Sequence, residues 1–194
     1  MSEIGIFRQS WSPHGKMVKK QMENVAQPEN APEYLQRYSK EHLLYEVQMF
    51  FQVGHLLMTG HFQTSQPEVA IVLHNAIMES FVLHLRNLLD FFYTAPRKTD
   101  VSATMFYDSG HLPPDFPAES TILSAAHRRA HKEMSHITTE RHWEGNPAKL
   151  WEFHRLLREV KPLVEKFLQT ASAARLHPDF IEQTKTAISH MGRI

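Results

Sequence analysis

The stretch EVAIVLHNAIMESFVLHLRNLLDFFY, Glu68 to Tyr93, constrains this chain more than any other. Val69, Val72, Leu73, Ala76, Ile77, Phe81, Leu83, Leu88 and Phe91 recur at a helical period and cover well over half of the cylinder, so the segment reads as a central helix. Ser65, Pro67 and Glu68 read as its N-cap, first-turn proline and capping-box glutamate. Along its remaining polar stripe, in steps of three or four, stand Asn75, Glu79, Arg86 and Asp90, with Arg86 and Asp90 spaced to pair.

The 194 residues predict one domain with a core large enough to need neither disulfide nor metal. Cysteine is absent, which excludes a disulfide scaffold, a thiolate zinc site and a cysteine nucleophile. Lysine plus arginine balance aspartate plus glutamate at 21 each, so no net field draws the chain to nucleic acid or to an anionic membrane. Fourteen histidines make it progressively cationic as pH falls toward about 6. The N-terminal residues carry no apolar run behind a basic start, and no span was expected to supply the roughly 18 apolar residues of a membrane helix. The expectation is a cytoplasmic protein without membrane contact.

Residues 1–30 mix polar residues with isolated Ile6, Phe7 and Trp11 and read as a loosely structured arm. Residues 31–194 read as a single all-α domain, an antiparallel helical bundle of four main helices plus a short C-terminal one. The four are expected over Pro32–Met58 with Gly60 as its stop, over the central stretch, over Ser120–His136, and from a cap at Asn146 with Pro147 in its first turn to Ala174. The last helix covers Pro178–His190. Pro96, Gly110, Pro113, Pro114 and Pro117 break the period over about 94–119, which reads as a long surface connection with one short helix near Ala103–Tyr107 or as a functional loop or lid.

The polar cluster AHRRAHKEMSHITTERHW, Ala126 to Trp143, offers chemistry. On a continuous helix Arg129 and His136 lie nearly two turns apart, with Lys132 and Glu133 between them on the same side. An imidazole beside fixed cations suits RNA cleavage without metal or other cofactor. His136 would move protons to or from the 2′-hydroxyl and leaving oxygen, while Arg129 or Lys132 stabilises charge on the phosphate.

An arginine followed by a histidine near the end of one helix in a small bundle resembles the RNase motif of the HEPN superfamily. More narrowly, "LHLRNLLDFF", Leu83 to Phe92, paired with "RRAHKEMSHIT", Arg128 to Thr138, resembles the abortive-infection AbiU2-like branch. The resemblance spans about Pro32 to Ala174. It implies a protein of a prokaryotic defence or toxin system, a homodimer with facing motifs, RNA as substrate and a neutralising protein partner.

Other readings stand beside it. The bundle could be a non-catalytic interaction or RNA-binding protein. His127 and His131, four apart, share a helical face as metal ligands do, with Glu79 or His84 as candidate partners. Glu79, Arg86 and Asp90 read either as an ion-pair stripe or as support for His136 or Arg129 across the bundle. Arg141 and Trp143 belong to a helix exit that could contact phosphate and base.

Overall fold

The computed structural model describes residues 31–61, 64–135 and 151–190, leaving out the side chains of 133–135 and 190. Among the described residues the chain is all-α, without strands. Six helices run in order: α1 (Pro32–Tyr38), α2 (Leu44–Thr59), α3 (Pro67–Tyr93), α4 (Thr121–Ser135), α5 (Phe153–Thr170) and α6 (Pro178–His190). The arm at 1–30 and the expected cap at Asn146 and Pro147 lie outside the described residues.

The expected first helix is two pieces joined by a π turn, Ser39–Leu43, across which the backbone N–H of Leu44 reaches back to the carbonyl of Ser39. One wide turn changes the phase between the pieces, so that Leu35 of α1 and Val47, Phe50 and Phe51 of α2 all reach the core. Ser39 is fully buried at this junction. Its hydroxyl donates to the Gln36 carbonyl at 2.7 Å and accepts the His177 N–H at 3.0 Å, tying the turn to the start of α6. Gly60 ends α2 in the left-handed region, φ 66°, as a C-terminal glycine does.

α3 departs from the sequence reading at its start. Its N-cap is Gln66, which makes no side-chain capping bond, so the Ser65–Glu68 capping box does not form; Pro67 holds the first position. Only the second half of α3 is core: Phe81, Val82, Leu85, Leu88, Leu89, Phe91 and Phe92 are buried. The first half leaves Val69, Ile71, Val72 and Leu73 exposed, Ile71 and Val72 by 62% and 66%. By length and composition α3 is long and apolar enough to cross a membrane, contrary to the sequence expectation, although its second half packs as a core helix does. α2 packs against α3, α5 and α6. Phe50 of α2 stacks on Phe81 of α3 with ring centroids 4.9 Å apart.

α5 starts at Phe153, later than Pro147, and ends at Thr170, short of Ala174. It buries Leu156, Leu157, Val160, Leu163, Val164 and Phe167. α6 has the bounds its period predicts. The connection between α3 and α4 is more than a surface loop, because its single 3₁₀ turn, Ala103–Phe106, lies in the core with Ala103 and Phe106 fully buried. Arg175 clamps that turn, donating to the Met105 carbonyl at 2.5 Å and pairing with Asp108 at 3.2 Å.

Tyr93 fastens the far end of the connection by donating its hydroxyl to the Pro117 carbonyl at 3.0 Å. Burial, and then the charges of Glu119 and Glu159, push its phenol well above the usual range. The folded state thus keeps neutral a group that the unfolded chain ionises near about pH 10, so this stabilisation is complete below that value and is lost as pH rises past it. Melting temperature is expected to fall more steeply between pH 9 and 11 (roughly the range of an ordinary phenol) in the wild type than in Tyr93→Phe. Parallel curves for the two proteins would remove Tyr93 from the alkaline response.

Candidate functional site: an Asp–His–His cluster between α3 and α4

α3 and α4 meet where the last turn of one passes the middle of the other. Asp90 projects from α3, and His127 and His131, one turn apart on α4, face it with ring centroids 5.0 Å from each other. Asp90 Oδ1 lies 2.9 Å from His127 Nε2 and 3.2 Å from His131 Nε2. It also accepts the Thr94 hydroxyl at 2.9 Å, just past the end of α3. The second nitrogen of His127, Nδ1, lies 3.1 Å from Glu119 Oε1 in the connection that leads into α4. Ser120 places that connection, its hydroxyl accepting the Leu123 N–H at 3.2 Å as a cap of the first turn.

Burial of Asp90 works against its ionised form, but the hydrogen bonds from His127, Thr94 and His131 and the charge of His131 outweigh it, holding the carboxyl below the ordinary carboxylate range. Arg86 Nε approaches the other oxygen, Oδ2, at 4.0 Å, the spacing foreseen for this pair. Asp90, Arg86 and His131 also line a cavity of about 630 Å³, with Arg97, Tyr34 and Tyr38 among its walls. Residues of 94–102, in the connection read from sequence as a surface loop or a functional lid, supply another part of its lining.

Neither partner proposed for the histidine pair joins it. His84 is buried, with Nδ1 2.7 Å from Glu46 Oε2, and Glu46 also accepts the Asn87 amide at 3.0 Å. Glu79 is exposed, and eleven residues of helix put it roughly 16 Å along α3 from Asp90. The groups that do join, Asp90 and Glu119, come from the end of α3 and from a loop. Asp90 thus bears on His127 and His131, where the sequence reading paired it with His136 or Arg129.

Arg129 occupies the opposite side of α4, two residues or roughly 200° around from His127. Its guanidinium lies 4.0 Å above the Trp151 ring and lines a groove of about 420 Å³ with Ile122, Trp151 and Arg155. Lys132 is exposed on α4. Arg128 turns along the helix to donate to the Ser124 hydroxyl at 2.8 Å. His136, Arg141 and Trp143 lie outside the described residues, as does the side chain of Glu133. No family model, curated protein or solved structure matches the chain.

Proposed function

We propose that this chain is a HEPN-like protein of a prokaryotic defence or toxin system that cleaves RNA without a metal, using the side of α4 that carries Arg129. The observation that supports this reading most directly is the Arg129 guanidinium held over Trp151 in a groove shared with Arg155. A cation stacked on indole is oriented before ligand arrives, and the indole places an aromatic surface beside the positive charge for a base. By helical phase Arg129, Lys132 and His136 fall on one side of a continuous helix. In this scheme His136 transfers the proton while Arg129 or Lys132 stabilises the phosphate.

The dimer belonging to the same reading would form through the exposed start of α3. Between Val69 and Leu85 the only formal charge is Glu79, so a second copy meets that face without opposing like charges.

The test is cleavage of single-stranded RNA by purified full-length protein in EDTA. Wild type should cleave, His136→Ala should not, and Arg129→Ala should be about a hundredfold slower, the usual cost of losing one charge-stabilising donor. On sedimentation Val72→Glu should be monomeric and the wild type dimeric. Cleavage that survives His136→Ala would end the catalytic proposal. Retention of RNA without cleavage, weakened by Arg129→Ala, would convert it to a non-catalytic RNA-binding bundle.

A further inference from the structure

We infer that Asp90, His127 and His131 form a binding site for a divalent transition cation between α3 and α4, with Glu119 as the carboxylate that orients His127. The three donor atoms lie within 4.8 Å of one another. Ligands bonded at about 2.1 Å to a tetrahedral or octahedral ion stand roughly 3.0 to 3.4 Å apart, and the Asp90–His127 and Asp90–His131 separations are 2.9 and 3.2 Å. Both carboxylate–imidazole separations thus already match, and with the two histidine nitrogens within 4.8 Å of each other an ion enters by drawing the imidazoles together. Two imidazoles on one turn and a carboxylate from the facing helix are also a ligand set that leaves further coordination positions open.

The hydrogen bonding of His127 points the same way. Its two nitrogens face two different carboxylates, Glu119 and Asp90. A neutral imidazole has one N–H and satisfies only one of them. Without an ion the Nε2–H serves Asp90 and leaves Glu119 facing the Nδ1 lone pair; a cation at Nε2 moves the proton to Nδ1, so that both carboxylates are satisfied. A carboxylate on the far nitrogen of a metal-binding histidine fixes the tautomer and raises the basicity of the ligand. Two carboxylates supply charge to balance a divalent ion, and Arg86 approaches the other oxygen of Asp90. The nitrogen content of the set selects zinc, iron(II), nickel(II) or copper(II) over magnesium, calcium and manganese(II), which prefer oxygen ligands. Asp90 and His131 also line the 630 Å³ cavity, so the open positions of the ion are within reach of it.

The site lies on the opposite side of α4 from Arg129, so it and the RNA reading stand or fall separately. Its test is calorimetric titration of the full-length chain, freed of metal by EDTA and dialysis, with zinc chloride. The chain has fourteen histidines, so binding by wild type alone decides nothing. One tight equivalent of zinc is expected, about a hundredfold weaker or lost in His131→Ala and in Asp90→Asn, and weakened about 10- to 100-fold in Glu119→Gln. His131 is exposed, so its replacement leaves packing intact, and the visible bands of bound cobalt(II) should change with it. A tight equivalent that persists in both His131→Ala and Asp90→Asn would overturn the assignment, as would its absence from the wild type.

Discussion

Replacing Phe167 with alanine is expected to lower unfolding free energy by about 3–5 kcal/mol, the range for emptying a buried aromatic site. Phe167 is 1% exposed and sits where four parts of the fold converge. Its ring meets Phe91 and Phe92 of α3 at 5.4 and 5.8 Å, Phe106 and Tyr107 of the connection at 5.5 and 6.1 Å, and Phe180 of α6 at 6.4 Å. The interplanar angles, 71° to 85°, are those of edge-to-face pairs, which contribute about 0.5–1.5 kcal/mol each beyond area burial. Small domains are stable by about 5–15 kcal/mol, so one substitution removes a large share. Urea denaturation followed by circular dichroism measures it, and Phe167→Leu should cost clearly less. A loss below about 1 kcal/mol, the centre of the distribution for ordinary substitutions, would show that the ring is not the hub of these contacts.

Gly54→Ala should destabilise the protein by about 1–3 kcal/mol, against the direction helix propensity predicts. Alanine is better than glycine inside a helix by about 1 kcal/mol, and at an open position the change would stabilise. Gly54 is buried in α2, however, where a Cβ would stand 2.7 and 2.8 Å from the two methyl carbons of Leu157 and 3.1 Å from its Cγ. Leu157 is itself only 2% exposed and has little room to withdraw. The absence of a side chain at Gly54 is what lets α5 approach α2 this closely. The two residues should therefore be coupled by about 0.5–3 kcal/mol. Leu157→Ala alone costs about 2–5 kcal/mol, and in the Gly54→Ala background it should cost less because the new methyl fills part of the cavity. A stabilising Gly54→Ala would mean the helices separate without penalty.

Much of the fold was legible where local signals and burial agree. The bounds of α6 follow from Pro178 and its apolar period, and Leu123, Ala126 and Ala130 of α4 are buried as their spacing requires. The π turn left no such trace, because it falls on the polar stretch Ser39–His42, where no apolar residue marks the phase. In α3 the period identified the helix but not its surroundings: Val69 and Val72 have the same spacing as Phe81 and Leu88, and only the path of α2 and α4 determines which are covered. The site shows the same division. The spacing of His127 and His131 put both on one face of α4, whereas Asp90 reaches them through packing between helices, from 37 and 41 residues away in sequence, and Glu119 sits in a loop with no period to read. An acidic residue just ahead of a helix that carries two histidines was the one available hint.

Because α4 displays His127 and His131 on one flank and Arg129 on the other, the two proposed chemistries share no side chain. Drift at one or two positions on either flank would leave the other flank whole.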